Sequence, residues 1–273
     1  PGQTISHRAP YGDQWTFTYL YDFDGDGDLD ILWADGPGNI YLHRNNGSKQ
    51  SPDYDTKGEK LMLTNGQPIK VGPPIVPIEE IKDFEMMQGS RACITAFDFN
   101  GDGKTDVVVG DTYGDIFYFE NAGSNLQPVF RPGQKLGNLV SRALPLTYDW
   151  DHDGRMDVVG VSWAGRMEWY RNRGRGANPL FAMPQKLTLP PTVMYSPRIV
   201  IGDWNGDGDD DILVMSSYPW FCWLEASYIQ NGYARGRILS VEEKGGPANK
   251  FMAKTTKKRI VARDIFGRHY DNP

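Results

Sequence analysis

Cysteine is nearly absent from this chain of 273 residues, with Cys93 and Cys222 its only two. Two thiols cannot make a disulfide framework. They also fall in different repeats, so separate buried thiols are expected rather than a bridge. Histidine is scarce as well, with only His7, His43, His152 and His269. No apolar run approaches the roughly 18 residues a membrane helix needs. The chain lacks a Gly-rich phosphate loop, a CxxC pair, HExxH and any Ser-His-Asp order, which removes the chemistries those motifs carry. Its basic residues are not interleaved along a nucleic-acid module, so no nucleic-acid partner is expected. It has neither an initiator Met nor a signal-peptide pattern, and an opening at Pro1 reads as a processed or excerpted product.

What is present points to strands. Aromatics make up 12% of the chain, beside 31 Gly and 19 Pro, a mixture suited to short strands and tight turns. Four segments align without gaps: DFDGDGDLDIL from Asp22, DFNGDGKTDVV from Asp98, DWDHDGRMDVV from Asp149 and DWNGDGDDDIL from Asp203. Their flanks repeat too. An apolar run precedes each (WTFTYLY, ACITAF, ALPLTY, RIVIG) and a β-branched run follows (DILWAD, DVVVGD, DVVGVSW, DILVMSS). In the first three, a Gly turn leads into an alternating aromatic strand (NIYLHRNNG, IFYFENAG, MEWYRNRG), and a ragged fourth strand ends near Lys-Leu. Strand, loop, strand, hairpin, strand and strand in each repeat describe a four-stranded antiparallel blade.

The expected fold is therefore all-β, a β-propeller with blades starting near residues 14, 92, 143 and 197. RIVARDIFGRHYDNP from Arg259 is a degenerate fifth copy, with a strand at about 259–264 and with Phe266 and Arg268 where acids should stand. An insertion within 60–90, rich in Pro and Gly, is expected to leave the first blade. Residues 1–273 read as one propeller domain or as part of a larger ring of about seven blades.

The loops carry the chemistry. Calcium takes six to eight oxygens, and a loop with side chains inward at positions 1, 3, 5 and 9, a carbonyl at 7 and a Gly turn at 6 supplies them. The four sets are Asp22, Asp24, Asp26, the Asp28 carbonyl and Asp30; Asp98, Asn100, Asp102, the Lys104 carbonyl and Asp106; Asp149, Asp151, Asp153, the Arg155 carbonyl and Asp157; and Asp203, Asn205, Asp207, the Asp209 carbonyl and Asp211. Turn preference alone explains Asp-Gly pairs, but not an acid or amide at these positions in all four copies. Four structural Ca2+ ions are expected. Magnesium, which wants a strict octahedron, fits less well.

These loops hold 17 of the 35 acids and only Lys104 and Arg155 among the bases, which leaves 18 acids against 27 bases elsewhere. Four divalent cations would turn the formal −6 into about +2. The surface outside the loops thus leans basic, most of all from Arg235 to Pro273.

DFDGDGDLDILWADGPGNIYLHRNNG resembles the FG-GAP/VCBS repeats that build the propellers of integrin α-subunits, many secreted bacterial proteins and some polysaccharide lyases. The resemblance spans about residues 14–235 and weakly 259–273. It implies a propeller with structural calcium in the loop between the first two strands of a blade, and it implies no particular activity.

Two functions are weighed. One is an extracellular recognition module for an anionic polysaccharide or a protein. The fourth repeat breaks pattern with Tyr218, Trp220, Trp223 and Tyr228, which could stack on sugar rings, beside Arg235 and Arg237, which could pair acid groups. Packing between blades would explain these tryptophans too. The other is a lyase acting on uronate-containing polysaccharide, which needs a base and a cation at the sugar carboxylate. His43 is its one candidate base. His152 at loop position 4 reads as solvated. Sites of this charge suit calcium levels outside the cell, so a secreted or periplasmic location is expected.

Overall fold

The computed structural model describes residues 17–72, 90–174, 181–187, 197–202, 210–215, 221–224, 239–240, 262–263 and 269–270. The strands are β1 (Phe17–Tyr21), β2 (Asp30–Ala34), β3 (Ile40–His43), β4 (Glu59–Lys60), β5 (Met62–Leu63), β6 (Cys93–Phe97), β7 (Asp106–Gly110), β8 (Asp115–Phe119), β9 (Val129–Phe130) and β10 (Gln134–Asn138). They continue with β11 (Ala143–Tyr148), β12 (Asp157–Ser162), β13 (Met167–Tyr170), β14 (Gln185–Leu187), β15 (Arg198–Gly202), β16 (Asp211–Met215), β17 (Phe221–Leu224), β18 (Leu239–Ser240), β19 (Ala262–Arg263) and β20 (His269–Tyr270).

Four four-stranded sheets follow the repeats: β1-β2-β3-β4, β6-β7-β8-β10, β11-β12-β13-β14 and β15-β16-β17-β18. Each is built as a propeller blade, so the fold is all-β. Among the described residues, no helix is long and apolar enough to cross a membrane. The chain divides into two compact units, residues 1–162 with 167–186, and residues 163–166 with 187–273.

Within the first unit, apolar side chains fill the spaces between neighbouring blades. Leu32, Ile40 and Leu42 of the first blade meet Ile94, Val107 and Phe119 of the second in one cluster. Val108, Ile116 and Tyr118 meet Ala143, Val158 and Tyr170 of the third in another. Strand β7 is covered on both faces and reads as a continuous buried run, whereas β2 alternates buried and half-buried residues.

Residues 61–72 differ from the expected excursion. Leu61, Ile69 and Val71 are buried in the first cluster, and β5 pairs in parallel with β9, a separate short strand in the connection between β8 and β10. The apolar residues of this Pro/Gly-rich stretch stitch two blades together; residues 73–89 lie outside the described residues.

In the second unit, β15–β18 repeat the blade pairing, and β19 pairs antiparallel with β20. Strand β19 falls within the span expected for the degenerate copy; Phe266 and Arg268 lie outside the described residues. Cys93 is a buried thiol whose Sγ donates to the Arg91 carbonyl at 3.6 Å.

Candidate metal centres

Every Asp-rich loop joins the first two strands of its blade. The closing pair is always the last residue of the first strand with the ninth loop residue: Tyr21 with Asp30, Phe97 with Asp106, Tyr148 with Asp157 and Gly202 with Asp211. In the first three loops the eight residues between are thereby held in a tight hairpin whose shape must come from local bonds; residues 203–209 of the fourth lie outside the described residues.

Those bonds are Asx turns, and they recur. The first-position carboxylate accepts the amide of the sixth residue in three loops: Gly27 to Asp22 at 3.0 Å, Gly103 to Asp98 at 2.8 Å and Gly154 to Asp149 at 2.9 Å. The fifth-position carboxylate accepts the amide of the seventh: Asp28 to Asp26 at 2.8 Å, Lys104 to Asp102 at 3.0 Å and Arg155 to Asp153 at 3.0 Å. The turn needs left-handed backbone at positions 4 and 6. Position 6 is always Gly, with φ of 94°, 80° and 85°. Position 4 is Gly25, Gly101 or, in the third loop, His152 at φ 55°.

This winding turns the carboxylates of positions 1, 3 and 5 inward. In the set Asp22, Asp24 and Asp26, and again in Asp149, Asp151 and Asp153, one oxygen from each lies within 4.8 Å of the others. The second loop has the same turns with Asn100 at position 3, whose Oδ1 accepts the Asp102 amide at 3.0 Å. One Asp151 oxygen is buried without a hydrogen-bond partner. A hard, oxygen-only donor set with such an orphaned anionic oxygen fits a hard divalent cation.

The ninth Asp stands apart from those three. Asp30, Asp106, Asp157 and Asp211 are all buried. Asp30 accepts the Phe23 amide at 3.0 Å and the Asn45 amide at 2.8 Å. Asp106 accepts the Asn121 amide and the Tyr118 hydroxyl, each at 2.8 Å. Asp157 accepts the Asn172 amide at 2.7 Å, the Trp150 amide at 3.1 Å and the Trp169 indole N–H at 2.8 Å. Burial pushes Asp106 up to about 7 and Asp157 to about 6, against the lowering effect of these donors. This Asp therefore braces the loop against the end of the third strand.

The brace continues through an asparagine. Asn45, Asn121 and Asn172 each accept, through Oδ1, the amide two residues on, at Gly47, Gly123 and Gly174. Asn172 also donates from Nδ2 to the Phe99 carbonyl of the preceding blade at 2.8 Å. Loops of adjacent blades are tied in the same way by the Thr105 hydroxyl, which donates to the Phe23 carbonyl at 3.0 Å. The aromatic at position 2 (Phe23, Phe99) is buried between blades, anchoring its loop there.

Two arginines that sequence reasoning passed over enter the acid clusters. Arg44 lies 3.1 Å from Asp24. Arg171 lies 2.5 Å from Asp151 and 3.0 Å from Asp153. Although burial works the other way, the Arg155 amide and the Arg171 and Arg155 guanidiniums hold the Asp153 carboxyl below its ordinary value. The Asn relay and the arginines did leave a signal, a fixed offset from each loop, but it emerges only once the third strand is paired.

His43, the candidate base, lies inside the first blade. It is fully buried, its Nδ1 lies 2.5 Å from the Asp55 carbonyl oxygen, and its ring faces Trp33. A side chain sealed in the blade cannot take a proton from a polymer. Asp203, Asn205, Asp207, Asp209, Tyr218, Trp220, Tyr228, Arg235 and Arg237 lie outside the described residues. Trp223 is placed on β17, paired with Leu213 and Leu239, with only its backbone described.

A separate cleft of about 490 Å³ in the first unit is lined by Lys70, Asp111, Tyr113, Asp115 and Phe117, among others.

The FG-GAP-like repeat model matches residues 22–68 and 149–214 of this chain. A search of curated proteins finds no match. Among solved structures, the chain is similar to an Agrocybe aegerita lectin in a study of its specific recognition of non-reducing terminal N-acetylglucosamine. The identity is 17% and the TM-score 0.45, over 76% of this chain and 49% of that one. It is also similar to BBS1N in complex with ARL6DN, at 12% identity and TM-score 0.40, over 87% of this chain and 59% of that one. The chain spans about half to three-fifths of these structures.

Proposed function

We propose that this chain of FG-GAP-like repeats is a calcium-stabilised extracellular recognition module in which each of the four Asp-rich loops holds one structural Ca2+. The carrying observation is the convergence of Asp22, Asp24 and Asp26, and of Asp149, Asp151 and Asp153, at one register point of two blades. Side chains at positions 1, 3 and 5 and the carbonyl of position 7 would hold the ion. Asp30 and Asp106 each accept one hydrogen bond per carboxylate oxygen and keep a second lone pair there, whereas Asp157 Oδ2 already accepts two. The cation supplies charge neutralisation where clustered carboxylates otherwise repel. Extracellular calcium suits weak sites of this kind, which supports a location outside the cell or in a periplasm.

The partner is a carbohydrate or another extracellular molecule. Support comes from the basic surface outside the loops, from the fourth-repeat aromatics and from the cleft with its half-exposed Tyr113. An aromatic face beside carboxylates and a lysine offers the stacking and hydrogen bonds that bind a sugar ring.

Calorimetric titration of metal-stripped protein with Ca2+ tests the metal reading, with four sites expected and a fall in Tm of several degrees in EDTA. No uptake, or an unchanged melt, would overturn it. A glycan array tests the partner: binding should weaken in Tyr113→Ala or Trp220→Ala without loss of calcium. An empty array would overturn the carbohydrate reading alone.

A further inference from the structure

Arg44 follows Asp24 by 20 residues, and Arg171 follows Asp151 by the same interval. At that offset after Asn100 stands Glu120, and after Asn205 stands Glu225. Arg44, Glu120 and Arg171 are equivalent in the fold, because the preceding residues pair alike, His43 with Ile31, Phe119 with Val107 and Tyr170 with Val158; Glu225 lies outside the described residues, but Leu224 before it pairs with Ile212 in the same way. The third ligand and the end of the third strand thus change together. An Asp loop has an Arg beside it, and an Asn loop has a Glu.

The geometry gives this pattern a physical meaning. Arg44 sets Nη1 on Asp24 at 3.1 Å. Its Nη2 donates to the Asn125 carbonyl at 2.9 Å and lies 3.6 Å from Glu59. Arg171 spans Asp151 and Asp153. Glu120 is instead paired with Arg131 at 3.1 Å. The remaining cations on the loops, Lys104 on Asp102 and Arg155 on Asp153, belong to the variable seventh position. A guanidinium bonded to a ligand carboxylate occupies its lone pairs and repels a second cation at close range.

We propose that Arg44 and Arg171 are built-in counter-cations. They neutralise the first and third loops when no metal is bound, and they must be displaced when it binds. The inference rests on the calcium reading above. For Arg44 the structure also supplies the place of retreat, since Glu59 and the carbonyl of Asn125 can keep the guanidinium once Asp24 turns to the ion. The two arginines thereby oppose metal uptake while protecting the metal-free blade.

The test is calcium titration of the full chain with Arg44→Gln and Arg171→Gln, together with melting in EDTA and in calcium. Lys60→Gln serves as a charge control, because Lys60 sits over the Tyr41 ring at 5.3 Å. Each arginine variant should tighten one site roughly tenfold. Its Tm should fall in EDTA and hold or rise in saturating calcium. Unchanged or weaker affinity would overturn the proposal. So would a Tm loss that is equal in both conditions, which marks a purely structural tie, or an equal gain in Lys60→Gln, which marks bulk charge. A wild type that takes up no calcium at all would instead sink the metal reading, and this inference with it.

Discussion

Replacing Asn172 with alanine should open the seam between the second and third blades. The side chain is buried and makes three bonds besides its backbone link to Asp157. Nδ2 donates to the Phe99 carbonyl at 2.8 Å and to the Met156 carbonyl at 3.2 Å, and Oδ1 accepts the Gly174 amide at 3.0 Å. At about 1 kcal/mol each, the loss is about 3 kcal/mol, and the buried acceptors left behind push it upward. For a folded unit of this size that corresponds to a fall in Tm of roughly 6–12 °C. Thermal melts in saturating calcium read the total, and hydrogen exchange locates it, with faster exchange expected in β12 and β13. Asn121→Ala is the internal comparison. Its Oδ1 accepts the Gly123 and Val129 amides, but its Nδ2 has only the Ser124 carbonyl at 3.4 Å, with no bond to the neighbouring blade. It should cost less and leave the seam protected. If Asn172→Ala costs under about 1 kcal/mol, or no more than Asn121→Ala, the seam is not held by this residue.

Three further outcomes follow from the same geometry. His152→Gly should stabilise by about 1 kcal/mol in a melt, because His152 holds a left-handed φ of 55° where the other described loops use Gly. Gly58→Ala should cost about 2 kcal/mol or more, since Gly58 sits at φ 67° and a Cβ there would lie 2.7 Å from the buried His43 ring; a neutral result would show that the ring can move. Asp111 is raised above its ordinary value chiefly by burial, with Asp115 adding to the rise. The folded state therefore holds this proton more tightly than the unfolded one. Asp111 costs stability at neutral pH, and the cost fades as pH falls through its folded pKa toward 3.8. Asp111→Asn keeps an acceptor for the Tyr113 and Asp115 amides, so its advantage over wild type should shrink as pH is lowered from neutral toward 3.8.

The blades and the loop positions were legible in the sequence because both are written in short-range patterns. The apolar run before each loop, the β-branched run after it and the spacing of acids at positions 1, 3 and 5 depend only on neighbours along the chain. Strand β1 ends where Asp22 begins and β2 starts at Asp30, as the repeat alone indicates. Other features depended on which strands meet. The ninth Asp reads as one more ligand on spacing; strand pairing adds that it sits in the interior, where it accepts the Asn45, Asn121 and Asn172 amides. Arg44 and Arg171 look like ordinary strand-end charges until antiparallel pairing carries them back onto acids 20 residues earlier. His43, promising by composition, is closed off by Trp33 and Gly58. Residues 61–72 open a stretch rich in Pro and Gly that reads as a departure from the blade, but Leu61, Ile69 and Val71 find apolar cover in a neighbouring blade. The sequence by itself determined where the described loops would bend and which carboxylate oxygens converge in the first and third, since a nine-residue turn is governed by its own backbone and side chains. Tertiary structure alone decided which charges would face those oxygens, because that depends on strand register and on the blade next door.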